Sequence, residues 1–485
     1  MALKAGHKRP LLQAPVGFGK TVVASHISAG VRSKNNTALF TVPSVGLVEQ
    51  TVESFYAEGI HEIGVIQADN PLTDYSKPLQ IACTATLDRR TIEKPKLVMV
   101  DECHIRHRVI MRLMEEWPEV PFIGLSATPW TKGLGRFYDN LIVAGTTGDL
   151  IREKDLCEFR VFAPSHPDLS GVKTTETENG KDFVEAQLST AMQKGSLTAD
   201  IVSTWLERGR GRPTLCFCVD RAHAMAIHKQ FEKVGVKAAY QDGGTSVGDR
   251  QFIKKAFGTG AVEVVCSVGT LTTGIDWDVR CIVWARPTKS EILFVQGMGR
   301  GLRNAPGKDY LLVLDHSDTT LNLGFVTDIH HDRLDDGTPA SLRRASAPKL
   351  PRECPSCTAL FPKYARVCPV CKFEPKSQPR DIDTKAGELI ELDKHRKAQA
   401  PTMAEKVAFF RQLKAYQIET GKSDGFIAHK YRAKFGSWPN DSRLKDCAPA
   451  ADISPAVRSW LKSQQIRFAK QMEKVRGEAA KIAAE

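Results

Sequence analysis

Ala14-Pro15-Val16-Gly17-Phe18-Gly19-Lys20-Thr21 follows a short apolar run, Pro10-Leu11-Leu12-Gln13, and precedes a helix-like stretch over residues 22–29. A strand, a glycine-bearing loop and a helix in that order read as a phosphate-binding loop. The N–H groups of such a loop and the N-terminus of its helix form a nest for anionic oxygens. Gly17 and Gly19 belong to that cradle, Lys20 reaches the β- and γ-phosphates, and Thr21 holds Mg²⁺. The chain is therefore expected to bind a nucleoside triphosphate on an α/β fold.

About 80 residues further on, Lys96-Leu97-Val98-Met99-Val100 runs into Asp101-Glu102-Cys103-His104. A carboxylate at the end of a buried parallel strand lies at the topological switch point, where open α/β sheets bind ligands. Asp101 is placed to hold Mg²⁺ through water, and Glu102 to orient and deprotonate the attacking water. Alone, such a quartet is common at helix ends. Behind an apolar strand and after a phosphate loop, it reads as the second half of one site.

At 485 residues the chain exceeds a single core, so three or four domains are expected. Its Ile, Val and Leu come in short runs bounded by Gly and Pro, which suits α/β domains. No apolar run approaches the ~20 residues that cross a bilayer, and the N-terminus lacks a signal-peptide pattern. The expectation is a cytoplasmic chain without a membrane partner, with its twelve cysteines reduced unless they hold metal. Residues 1–340 carry 39 Lys+Arg against 40 Asp+Glu, and residues 341–485 carry 29 against 16, so the whole +12 excess sits in the C-terminal third. A basic appendage on a near-neutral body points to a polyanion, nucleic acid first; a merely solvated tail is the alternative.

Three further segments follow in order. Phe122-Ile123-Gly124-Leu125 ends in Ser126-Ala127-Thr128-Pro129. Residues 264–268 read as a strand before Leu271-Thr272-Thr273-Gly274-Ile275-Asp276. Gln296-Gly297-Met298-Gly299-Arg300-Gly301-Leu302-Arg303 carries two arginines one helical turn apart, on one face. Such a pair suits a γ-phosphate, because an arginine there stabilises charge in the phosphoryl-transfer transition state. Taken alone, Arg300 and Arg303 read as a solvated helix face.

Together these motifs resemble superfamily 2 helicases of the DEAD/DEAH group. Motif I is residues 14–21, motif II 101–104, motif III 126–128, motif V 272–276 and motif VI 296–303. Val42-Pro43-Ser44 with Leu47-Val48-Glu49-Gln50 is similar to motif Ia, Thr84-Ala85-Thr86-Leu87 to motif Ib, and Thr214-Leu215-Cys216-Phe217-Cys218 to motif IV. Residues 271–276, Ala285-Arg286-Pro287-Thr288, and residues 299–303 with Ala305-Pro306-Gly307-Lys308 look most like RadD-type bacterial and phage helicases. The resemblance implies two RecA-like domains with ATP between them, Lys20, Thr21, Asp101 and Glu102 coming from the first and Gln296, Arg300 and Arg303 from the second. It gives His104, Ser126 and Thr128 a role coupling nucleotide to the DNA groove. Thr272 and Thr273 would touch the nucleic-acid backbone, and Gly274 and Asp276 the nucleotide or the neighbouring arginine. Ala14 replaces the first glycine of the loop, and Cys103 stands where similar chains have Ala or Asp; the thiol reads as packing, not as a nucleophile. Only 13 residues precede Ala14, without the glutamine that reads adenine in similar chains, so a misassigned or truncated start stays open.

The resulting division is a first RecA-like domain at 1–150, a linker at 151–190, a second RecA-like domain at 191–320, a four-cysteine zinc ribbon at 350–376 and a basic helical module at 403–485. Residues 150–164 look like a strand leading out of the first domain, and His330 and His331 read as solvated. Cys216 and Cys218 are two apart on a strand and point to one face, a core pattern more than a metal pattern. Cys354-Pro-Ser-Cys357 and Cys368-Pro-Val-Cys371 are two knuckles ten residues apart. Four soft thiolates favour structural Zn²⁺, with an iron–sulfur cluster as the chemical rival. Phe361, Lys363, Tyr364, Arg366, Lys372 and Phe373 surround the knuckles and suit either a nucleic-acid strand or a protein-docking face. In the C-terminal module Lys430, Arg432 and Lys434 with Tyr431 and Trp438 form a candidate nucleic-acid contact, the rival reading being that Phe435 and Trp438 are core.

The sequence thus points to an ATP-dependent DNA helicase or translocase that uses ATP, Mg²⁺ and structural Zn²⁺. Its expected partner is single-stranded or branched DNA, with protein partners through the ribbon or the C-terminal module. The alternatives are an RNA helicase, the motor subunit of a restriction system, and a non-catalytic nucleic-acid-binding protein with a disabled motor. Repair, recombination and phage replication are all open as settings.

Overall fold

The computed structural model describes residues 2–177, 180–193, 195–271, 276–338, 349–374 and 401–465. It has two compact units, residues 1–378 and 379–485. Two RecA-like domains with parallel sheets and a four-cysteine ribbon make up the first, and a helical module the second.

The first sheet has seven strands: β1 (Pro10–Gln13), β2 (Ala38–Val42), β3 (Ile63–Ile66), β4 (Leu79–Cys83), β5 (Leu97–Asp101), β6 (Phe122–Ser126) and β7 (Asn140–Val143). Their order is β3-β4-β2-β5-β6-β1-β7, with every pairing parallel. β2 and β6 are buried at every position and β5 nearly so, as expected of continuous apolar strands covered on both faces. Helices Lys20–Arg32 and Val45–Ala57 cover one face, where Phe55 meets Phe40 edge to face at 5.4 Å. Helix Arg108–Glu116 covers the other with Val109, Ile110, Leu113 and Met114.

The second sheet has the order β12-β13-β11-β14-β15-β8, again parallel. Its strands are β8 (Glu158–Phe162), β11 (Thr214–Phe217), β12 (Ala238–Gln241), β13 (Val264–Ser267), β14 (Cys281–Trp284) and β15 (Tyr310–Asp315); a hairpin, β9 (Thr174–Thr177) and β10 (Gly180–Phe183), intervenes. The stretch 151–190, read from sequence as a linker, therefore contributes β8 as the edge strand of this sheet, with Val161 opposite Val313. Residues 150–164 lead into the second domain more than out of the first. Helix Gly195–Arg208 buries Trp205, whose Nε1 donates to Thr214 Oγ1 at 2.8 Å.

The ribbon pairs β16 (Pro351–Glu353) with β17 (Leu360–Pro362). Ala359 bridges to Phe162, and Ala163 N donates to Thr358 O at 2.9 Å, so the ribbon extends the second sheet at the C-terminal end of β8. Cys354, Ala359, Phe361 and Cys368 share one buried cluster with Cys216, Val264, Val283 and Leu312.

The C-terminal unit packs helices Met403–Thr420, Asp424–Phe435 and Ser442–Lys445 around Phe410, Leu413, Ile427, Tyr431, Leu444 and Leu461. Thr402 and Glu405 form a capping box at the first, and Gly421 closes it at φ 66°, a left-handed conformation that costs glycine little. Among the described residues no helix is long and apolar enough to cross a membrane.

Candidate active site between the two RecA-like domains

Gly17 and Gly19 sit at φ 91° and 89°, where other residues are strained, and Gly19 caps helix Lys20–Arg32 without a side-chain bond. The helix N-terminus is thus left to an anion. Gly17, Gly19, Lys20, Thr21, Asp101, Glu102, Asp276, Arg300 and Arg303 all line one cavity of about 390 Å³. Thr272, Thr273 and Gly274 lie outside the described residues.

Asp101 ends β5, and Glu102 follows at φ 47°, an uncommon backbone for a non-glycine residue. Burial and the neighbouring Glu102 push the Asp101 carboxyl up to about 6, against the pull of Lys20. Burial would raise Glu102 too, but Lys20, His104 and Arg300 outweigh it and hold this carboxylate at about 2. Glu102 Oε2 is buried and 3.3 Å from His104 Nδ1, without a hydrogen-bond partner among the described residues. A half-buried carboxylate, a buried one and a threonine hydroxyl beside a lysine are a hard oxygen donor set, which fits a small divalent cation. Burial pushes the Cys103 thiol well up, in keeping with a packing role, and Gly124 gives it room.

The two domains meet through Gln296. Its Nε2 lies 3.1 Å from His104 Nε2 and donates to Thr128 Oγ1 at 3.2 Å. His104 Nδ1 lies 3.0 Å from Ser126 Oγ, and Ser126 Oγ accepts from Thr128 N at 3.1 Å. His104, Ser126, Thr128 and Gln296 are all buried, so motifs II, III and VI form one closed network.

Helix Glu291–Leu302 carries Gln296 and Arg300 and ends at Arg303. Arg300 is 5 % exposed; burial and then Arg303 lower its guanidinium to about 10, while Glu102 and Asp101 oppose that. Arg303 donates to Asp276 Oδ1 at 2.6 Å. Neither arginine is the solvated helix face of the alternative reading. The helix is squeezed between two surfaces through its glycines. A Cβ on Gly297 or Gly301 would strike Trp284 or Leu311 of the sheet, and one on Gly299 would lie 2.7 Å from Val16 of the phosphate loop.

Residues 1–131 match the family model "Type III restriction enzyme, res subunit", and residues 196–305 match "Helicase conserved C-terminal domain". A 51.5 kDa protein of Lactococcus phage (isolate 7-9) is 25% identical over 404 residues, covering 82% of this chain and 85% of that protein. A Saccharomyces cerevisiae protein carrying the name ATP-dependent helicase IRC3 is 29% identical over 345 residues, covering 65% of this chain and 49% of that protein. The chain thus spans about half the length of this yeast relative. A solved chain described as a fragment of an HsdR subunit of a type I restriction enzyme from Vibrio vulnificus YJ016 shares the fold, with TM-score 0.52 at 21% identity over 70% of this chain and 64% of that one. The two domain matches and the helicase relatives support superfamily 2 of helicases. The chain is an ATP-dependent motor of that class, and the class implies ATP, Mg²⁺ and a nucleic-acid partner.

The helicase fold gives site roles to residues to which the motif reading assigned none. Leu47, Gln50, Thr51 and Ser54 line the same cavity from helix Val45–Ala57. Their i, i+3, i+4, i+7 spacing is one helix face, a signal present in the sequence. Lys308 Nζ donates to Arg303 O at 2.7 Å and to Gly301 O, capping the helix that carries the arginines. Asp335 accepts from Gly133 N at 2.8 Å, and the Trp130 ring meets His331 in a tilted contact at 4.8 Å. His331 Nε2 also lies 2.6 Å from Glu291 Oε2, so it is not the solvated histidine expected from sequence.

In the ribbon of this helicase, Cys354 and Cys371 Sγ are 3.6 Å apart, Cys357 and Cys368 Sγ are 3.8 Å apart, and all four sulfurs lie within 4.8 Å of one another. Four thiolates at ~2.3 Å from one Zn²⁺ have tetrahedral edges of about 3.8 Å. A disulfide would need about 2.05 Å. The spacing has room for a single ion and not for a cluster of several irons. In the C-terminal unit Arg432 is exposed and stacks over Trp438 at 4.6 Å, while Lys430 lies half-buried 5.4 Å from the Phe426 ring. Tyr431, expected to join that contact, is 2 % exposed and belongs to the core with Phe410. Trp438 is 41 % exposed and remains at the surface.

Proposed function

We propose that the chain is an ATP-dependent DNA helicase or translocase, of the RadD-like kind its motifs resemble. The observation that carries this reading is Gln296, whose amide joins the second domain to His104 and Thr128 of the first. A nucleotide cleft that is completed only by both domains is the requirement for turning hydrolysis into movement between them. The basic C-terminal third and the match to a restriction-enzyme subunit support DNA as the track.

In this reading the loop N–H groups and Lys20 bind the β- and γ-phosphates. Thr21 and Asp101 would hold Mg²⁺, which would supply positive charge to the phosphate oxygens. Glu102, kept ionised by Lys20, His104 and Arg300, accepts a proton from the attacking water through Oε2. The water oxygen bonds to the γ-phosphorus as the bond to the β–γ bridging oxygen breaks, and ADP leaves with that electron pair. Arg300 faces the developing negative charge, and Asp276 holds Arg303 beside it. Loss of the γ-phosphate frees Gln296 to release His104 and Thr128, and the domains part. The four cysteines hold structural Zn²⁺, and Arg432 with Lys430 adds a DNA contact. The working compartment is the cytoplasm.

The test is ATP hydrolysis with and without single-stranded DNA, duplex DNA and RNA at two salt concentrations. Stimulation by DNA that weakens with salt is expected. Stimulation by RNA alone would replace the substrate, and no hydrolysis with DNA binding retained would leave only a binding protein. The match of residues 1–131 to a restriction-enzyme subunit favours one second reading, a motor that works with a nuclease subunit. Unwinding or translocation by the isolated chain argues against that dependence.

A further inference from the structure

The ribbon has two unlike sides. Cys354, Ala359, Leu360, Phe361 and Cys368 are buried against the second sheet. The opposite set, Lys363, Tyr364, Arg366, Lys372 and Phe373, is exposed. Tyr364 is 86 % exposed, more than any other exposed large apolar side chain among the described residues. A ring that served only packing would be covered. Its backbone is not loose: Ala365 N donates to Pro362 O at 3.0 Å, closing a turn with Lys363 and Tyr364 at its tip. The Arg352 guanidinium braces that turn, donating to Ala365 O and to Arg366 O at 3.1 Å while lying 4.6 Å over the Phe361 ring.

Position adds to this. The ribbon joins the sheet at Phe162 and Ala163, the C-terminal end of β8. Because the strands are parallel, this is the edge from which the loops after β11, β12 and β13 emerge. The loop after β13 leads to Asp276 at the nucleotide cavity. Residues 363–374, which carry Tyr364, hold three exposed cations, Lys363, Arg366 and Lys372, against one carboxylate, Glu374.

We propose that this exposed face is a contact for single-stranded DNA, in which Tyr364 stacks on an unpaired base and Lys363, Arg366 and Lys372 neutralise the flanking phosphates. The inference rests on the nucleic-acid reading above. Every base offers a π-face, so such a contact follows a strand without reading its sequence. A pre-formed turn loses little freedom on binding, which suits a contact that must release at each step.

The experiment measures binding of a fluorescent oligothymidylate to the full chain by anisotropy, for wild type, Tyr364→Ala, Tyr364→Phe and the pair Lys363→Ala/Arg366→Ala. Tyr364→Ala is expected to weaken binding by about five- to a hundredfold, and Tyr364→Phe to restore it, since only the ring is needed. The charge pair should reduce the slope of log affinity against log salt by about 1.4, the value for two phosphate contacts on a single strand. Metal content and melting temperature, unchanged for these exposed positions, show that the ribbon is intact. Tyr364→Ala binding within twofold of wild type overturns the proposal. Wild-type protein that binds no oligonucleotide overturns the nucleic-acid reading itself, a separate result.

Discussion

Removing the metal from the four-cysteine ribbon should destabilise the second RecA-like domain, not merely unfold an appendage. Leu360 and Phe361, 6 % and 1 % exposed, pack into the clusters on the two faces of the second sheet. Burying a Leu or Phe side chain is worth about 1.5–3 kcal/mol each, so releasing both costs roughly 3–6 kcal/mol. That is a large part of the ~5–15 kcal/mol that holds a domain folded. The ribbon also covers the C-terminal end of edge strand β8, whose backbone groups would lose their partners at Thr358 and Ala359. For a domain of this size, each kcal/mol moves the melting temperature by about 2–4 °C, so a fall of about 6–24 °C is expected. The assay is calorimetry of the full chain before and after chelation, with metal release measured in the same sample. Hydrolysis should fall with the same transition, because helix Glu291–Leu302 packs on this sheet through Trp284 and Leu311. Release of one metal per chain with the transition unmoved by more than about 2 °C would refute the coupling.

The nucleotide cleft gives three shorter predictions. Lys20→Ala or Glu102→Gln should abolish turnover with the melting temperature retained, and hydrolysis persisting in either would place the chemistry elsewhere. Arg300→Ala should spare ATP binding, measured with a fluorescent analogue, and slow hydrolysis by about 10³–10⁵, the range for an arginine facing the transition state; full hydrolysis removes that role. Lys308→Met should lower kcat with little change in KM, because Lys308 caps the arginine helix through Gly301 O and Arg303 O without lining the nucleotide cavity. An equal loss in KM would show a direct substrate contact instead.

Whatever depends on local spacing was legible in the sequence. The phosphate loop needs glycines at two left-handed positions, and β5 must end in carboxylates at the switch point; both constraints fall within a few residues. The four cysteines are legible for the same reason, since each knuckle sets its own geometry. Contacts made by docking were not. Val161 of β8 looks like any short apolar strand, and nothing local says that it pairs with Val313 of β15. Tyr431 and Trp438 are both aromatic among cations, yet one is core and the other surface, because helix phase relative to Phe410 and Leu413 decides it. His331 looked solvated because its partners, Trp130 and Glu291, come from two different domains.

The glycines of Gln296-Gly297-Met298-Gly299-Arg300-Gly301 show how closely closure is specified. Gly297 and Gly301 are four apart and face the sheet, while Gly299, on the opposite side, meets the phosphate loop. In an ordinary helix, Gly→Ala stabilises by up to about 1 kcal/mol. At Gly299 the new Cβ would lie 2.7 Å from Val16 Cβ, a rigid neighbour, so the domains must separate to admit it. Cross-cleft bonds such as Gln296 to Thr128 contribute only about 0.5–1.5 kcal/mol each and cannot hold the cleft against that overlap. Gly299→Ala should therefore fold normally, bind ATP through the first domain and fail to hydrolyse it. Val16→Gly removes the opposing Cβ together with both methyl groups, and the double variant should recover hydrolysis that Gly299→Ala loses. Two losses that simply add would mean the contact does not govern closure. Recovery would show that the fit of one glycine against one valine sets when the arginines reach the nucleotide.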